Sequence, residues 1–159
     1  MEGFFGSFGG KVFLTFLISM APVVELRGAI PYATANGINL WLAIAVSVIG
    51  NMIPVPFIIL FIRKIFGWLR KKSEKLNSLV GHFERKAEKH QETVKRYKFW
   101  GLFVLVAIPL PGTGAWTGAL VAAMLEMRLK DAVPAIFMGV IAAGIIMSTF
   151  SYGIFSMVK

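Results

Sequence analysis

Cysteine is absent from the 159-residue chain, which excludes disulfides, zinc knuckles and iron–sulfur ligation. Histidine is nearly absent: only His82 and His90 occur. No metal-ligand spacing, nucleophile–base pair, P-loop or dinucleotide fingerprint is present, so no metal, no cofactor and no enzymatic activity is expected. Charge is also scarce, at 16% of residues against 57% hydrophobic, with a mean hydropathy of +0.71. Soluble domains are usually about 25% charged and about 45–50% apolar. The composition therefore describes one membrane domain over residues 1–159, with no room for a separate soluble catalytic unit.

Whole stretches lack charge altogether: 40–62, 99–125 and 132–158. A bilayer span needs about 20 apolar residues, so Leu40 to Ile62 and Ala132 to Val158 read as transmembrane helices. Val12 to Val24 stops at Glu25 after about 20 Å of helix and is too short to cross. Phe99 to Leu125 is long enough, but Pro109-Leu-Pro-Gly-Thr-Gly114 interrupts it. Both read as broken or re-entrant helices. A cleaved leader is not expected, because Pro22 would follow the cut and only Glu2 and Lys11 carry charge before it. Phe4, Phe5 and Phe8 suit the headgroup region instead.

What charge there is lies in one place. Residues 63–98 hold twelve of the seventeen cations and four glutamates. In a soluble protein such an excess would suggest nucleic acid; here it is the positive-inside signature, and no nucleic-acid partner is expected. The segment is placed in the cytoplasm and the chain in the inner membrane, multi-pass. Leu69, Leu76, Val80, Phe83, Ala87, Val94 and Tyr97 make an amphipathic pattern, with Gly81 dividing it. Its basic face suits anionic lipid headgroups, with Trp68 as an interfacial anchor; a plain solvated connector fits the same pattern.

Phe16-Leu-Ile-Ser-Met-Ala-Pro22 aligns with Phe103-Val-Leu-Val-Ala-Ile-Pro109, and Ala43–Ile49 with Ala135–Ile141. Chance similarity of apolar sequence is the alternative. The repeat divides the chain into a first half, 1–62, a basic amphipathic linker helix, 63–98, and a second half, 99–159. The expected fold is an all-α integral membrane protein, an inverted repeat of re-entrant helical hairpin plus transmembrane helix. Two spans and two hairpins make a thin wall, which favours a homodimer.

Glu25-Leu-Arg-Gly-Ala-Ile-Pro31 alone places ionisable groups inside apolar sequence. A break around Gly28 and Pro31 would aim Glu25 and Arg27 into one cavity, with a rim position in the headgroups as the alternative. Arg27 offers a fork for phosphate or carboxylate. Glu25, removed from water, would exchange protons near neutral pH. Opposite it, Pro109, Pro111, Gly112, Thr113, Gly114, Trp116 and Thr117 supply close backbone approach and hydroxyls. A helix starting near Thr113 or Gly114 would attract an anion; an ordinary kink is the plainer account. Asn51, followed by Pro54 and Pro56, either lines the same cavity or bonds a neighbouring helix.

The Glu25–Pro31 motif, Asn51 with its prolines, and Pro109-Leu-Pro-Gly-Thr-Gly-Ala-Trp-Thr-Gly118 resemble the small multidrug export proteins, allied to the DedA (SNARE-associated, VTT) superfamily. The resemblance spans nearly the whole chain. It implies two inverted halves and proton-dependent translocation of undecaprenyl phosphate or other membrane lipid, with Glu25 as proton-coupling acid and Arg27 as phosphate partner. DedA proteins proper carry arginines in the second hairpin as well, whereas Phe99 to Leu125 is uncharged here. Three functions follow: a flippase for an amphiphilic anion, proton-coupled export of small drugs, or a membrane scaffold recruiting partners through Lys71, Lys72 and Lys75.

Overall fold

The computed structural model describes residues 6–110 and 113–157, with side chains through residue 153. These residues form eight helices and no strand: α1 Phe8–Met20, α2 Glu25–Ala35, α3 Leu40–Met52, α4 Pro54–Lys72, α5 Glu74–Tyr97, α6 Phe99–Ala107, α7 Ala115–Met124 and α8 Leu129–Met157. Phe4 and Phe5, expected among headgroups, lie outside the described residues.

Among the described residues, two helices are long and apolar enough to cross a membrane. The α3 and α4 segments continue through a bend at Ile53 as one 33-residue helix, Leu40–Lys72, and α8 supplies Leu129–Gly153. The Asn39 side chain starts the first by accepting the Trp41 N–H at 2.9 Å. That helix runs past Ile62, the end expected from the charge map, because Arg63 and the cations after it extend into the exposed last turns. Phe57, Phe61, Phe137 and Phe150 point outward, an apolar surface that water would not tolerate and acyl chains accept.

The shorter helices pack as two pairs. The α1 helix lies on α2 and α3, and α6 on α8; α2 also reaches α8, and α7 rests on α4. With lipid as apolar as the helices, close approach depends on small residues. A Cβ at Gly139 would stand 2.9 Å from the Phe103 carbonyl oxygen, and one at Gly50 would stand 2.8 Å from that of Phe16. Around these contacts Leu26, Ile30, Leu102, Val106, Val121 and Ile136 form the core.

Two expected breaks fall elsewhere. Gly28 and Pro31 lie inside an unbroken α2, and the turn occupies residues 21–24, after Pro22 has cut off α1. Pro31 is tolerated because α2 is short and packed on three helices. Gly81 does not divide the linker; Ser73 does, in extended conformation between α4 and α5. One interior glycine costs about 1 kcal/mol, less than burial of the α5 stripe returns.

That stripe faces protein. Val80, Ala87 and Val94 are buried, and α5 contacts α4, α6 and α7, with Arg70 bonded to Glu84. Tyr97, expected in the stripe, is exposed. At Lys98 the backbone turns through φ 45° and α6 folds back along α5. A Cβ at Gly101 would stand 2.7 Å from the Thr93 carbonyl oxygen. Arg85, Lys89 and Lys95 remain exposed on the outer face of α5.

Candidate functional site

The turn after α1 carries backbone strain. Val23 has φ 77° and Glu25 has φ 49°, a region that a β-branched residue rarely occupies. The twist swings Glu25 inward to 3% exposure. Its carboxylate accepts the Trp116 N–H at 3.0 Å and the Ala115 N–H at 3.3 Å. These are the first two residues of α7, where helical donors have no partner within the helix and carry partial positive charge. Gly114, at φ 122°, makes the approach possible, since a Cβ there would collide with the carboxylate. Trp116 Nε1 donates in turn to the Met20 carbonyl at 3.1 Å.

Arg27 holds the same joint from the other side. Its Nη2 donates to Thr113 Oγ1 at 2.8 Å and its Nη1 to the Leu110 carbonyl. The Thr113 hydroxyl sits 2.7 Å from the Ile108 carbonyl oxygen and 2.8 Å from that of Leu110. Both of these acceptors are neutral. Among the described residues no ion pair engages Arg27, so its charge is oriented but not cancelled by contact.

Glu25, Arg27, Pro109, Thr113, Trp116 and Thr117 line one cavity of about 460 Å³. The acid and base two residues apart thus do share a pocket, although the bend that brings them there precedes Glu25. The helix expected near Thr113 or Gly114 begins at Ala115, yet the anion at its N-terminus is the protein's own Glu25. Gly28 is packed against Val24 and Ile18, and Pro31 lies farther along α2; neither lines the cavity. Asn51 is fully buried and approaches the Glu25 carboxyl, but no partner among the described residues completes a hydrogen bond with its amide atoms. Pro111 and Gly112 lie outside the described residues.

The sequence reading missed part of the wall. Phe83 and Lys86 of α5 and Met147 of α8 also line the cavity. One signal was present: Lys86 adjoins Ala87 and lies three residues after Phe83, at the margin of the apolar stripe.

The outward-facing aromatics, the two long apolar helices and the charged cavity between short helix pairs define a helical membrane protein. The family model described as "Putative small multi-drug export protein" matches residues 25–146, a stretch opening on Glu25 and including every described residue of the cavity except Pro22, Val23 and Met147. The chain belongs to that family. No curated protein and no solved structure matches it.

Proposed function

We propose that the protein is a transporter rather than an enzyme: a proton-coupled flippase that carries an amphiphilic anion, such as a polyprenyl phosphate or a phospholipid, through the bilayer. The observation that carries this reading is the state of Arg27, half-buried in a cavity with only neutral acceptors on its guanidinium. A phosphate matches that fork in geometry and charge. The cavity volume falls in the usual range for small-molecule sites, and Trp116, Leu120 and Met147 offer apolar lining for a chain.

In this reading α1–α2 and α6–α7 are re-entrant hairpins, and residues 1–62 and 99–159 are inverted repeats. The packing supports it: α1 docks on α3 as α6 docks on α8, while α2 crosses to α8 and α7 crosses to the span formed by α3 and α4. The basic segment 63–98 is cytoplasmic and the membrane is the inner one. The exposed cationic face of α5 meets anionic headgroups, and two copies assemble to thicken the wall. The relation to DedA proteins belongs to the same proposal.

Export of small drugs is the second reading, and the family description favours it. There Glu25 would bind a cation, and Arg27 in the same cavity would oppose it. Proteoliposomes loaded with a fluorescent lipid phosphate or a cationic dye separate the two. Arg27→Ala is expected to abolish lipid-phosphate movement in a folded protein. Normal movement in that variant, or dye transport lost only in Glu25→Gln, would decide for drug export.

A further inference from the structure

The cavity contains one cation that the hairpins do not supply. Residues 99–125, which form one of its sides, contain no charged side chain, so the second half contributes hydroxyls and backbone only. Lys86 enters from α5. It is half-buried, and its helix is held in rotation by buried Val80 and Ala87 beneath it and by the Arg70–Glu84 bond. A lysine at the edge of a buried stripe lays its stem along apolar surface and extends its ammonium into the open space. Among the described residues, the ionisable side chains lining the cavity are then Glu25, Arg27 and Lys86: two cations, and one carboxylate that accepts the N–H groups of Ala115 and Trp116.

We propose that Lys86 is the second cationic contact of the substrate site, so that the cavity selects a doubly charged phosphomonoester headgroup over a singly charged phosphodiester. The proposal rests on the anion-transport reading and makes α5 a wall of the binding site. Arg27 supplies a planar fork and Lys86 a point charge from a different element. A phosphomonoester offers three unesterified oxygens sharing two charges, enough to meet the fork and the ammonium at once, whereas a phosphodiester offers two oxygens sharing one charge. Phe83, three residues earlier on the same helix, supports the alkyl chain next to the headgroup.

Equilibrium binding of dodecyl phosphate, methyl dodecyl phosphate and dodecyltrimethylammonium to the purified full chain in neutral detergent tests this. The measurement is made at about pH 8, where a phosphomonoester is mostly dianionic. The wild type is expected to prefer dodecyl phosphate. Lys86→Ala should weaken that ligand about tenfold, the effect of losing one charge-assisted contact, and leave the methyl diester nearly unchanged. Lys86→Arg should retain the preference, and Lys89→Ala, on the exposed face, should behave as wild type. If Arg27→Ala loses dodecyl phosphate while Lys86→Ala keeps it, the role of Lys86 is overturned and the anion reading survives. If neither substitution matters, or the ammonium binds best, the anion reading falls and this inference with it. Unliganded melting temperatures of the variants distinguish lost binding from lost folding.

Discussion

The carboxylate of Glu25 accepts the backbone N–H of Trp116 at 3.0 Å, across 91 positions of sequence. An acid from the first helix pair thereby caps the short helix of the second. Because both groups lie away from solvent, the contact bears on folding as well as on the proposed transport. Glu25→Ala leaves the Ala115 and Trp116 N–H groups unmet and should destabilise the protein by about 1–3 kcal/mol. Glu25→Gln keeps a carbonyl acceptor and should melt closer to wild type, yet lose transport with the titratable group. Thermal melting in detergent checks the order, and equal melting of the two variants would contradict the capping role.

Gly114 is fixed by that same carboxylate. Gly114→Ala brings a Cβ onto Glu25 at a backbone φ of 122°; such strain is typically about 1–3 kcal/mol, and displacement of the cap adds to it. Gly9→Ala is the contrast, since no described residue lies within 4 Å of its added Cβ and alanine favours helix. Chemical denaturation is expected to show a large loss for the first and none for the second.

Asn51 and Ser47 lie one turn apart on α3, both fully buried; among the described residues neither side chain completes a hydrogen bond, although the Asn51 amide lies close to the Glu25 carboxyl. Buried polar groups without partners oppose folding. Asn51→Leu and Ser47→Ala should therefore be as stable as wild type or more so. Transport should fall in Asn51→Leu, because that amide borders Glu25. A marked drop in melting temperature for Asn51→Leu would show that the amide serves the fold instead.

Burial, with Lys89 and Lys86 nearby, holds His90 below its ordinary imidazole value. The unfolded chain takes up its proton at higher pH than the folded one. Stability is therefore complete above an unfolded value of about 6.5 and declines as pH falls below it. His90→Gln should flatten that decline below about pH 6.5. Parallel melting profiles for wild type and variant would refute the assignment.

The spans and the charged motif were legible because each depends on local composition: charge-free runs long enough to cross, and one acid–base pair inside apolar sequence. Pro109 and Gly114 likewise marked the second turn correctly. The first turn was misplaced because Gly28 and Pro31 are the stronger local breakers, and only packing of α2 against α1, α3 and α8 overrides them. Gly81 failed as a break for a similar reason: Val80 and Ala87 are buried on either side of it, and that burial outweighs its propensity. Lys86 was counted with the basic face because its place beside Arg27's cavity depends on how α5 folds back over α6 and α7, which no local pattern encodes. The bond from Trp116 to Glu25 is equally non-local.

The mutual docking of the two turns also constrains how the molecule moves. Pulling them apart would strip the Ala115 and Trp116 N–H groups of the Glu25 carboxylate while leaving Arg27 without the Leu110 carbonyl and the Thr113 hydroxyl. Bare separation is therefore uphill. Under the proposed anion transport, a ligand that brings its own oxygens would relieve both deficits at once, and the latch would be released by substitution, with the incoming anion standing where the protein's own groups had been.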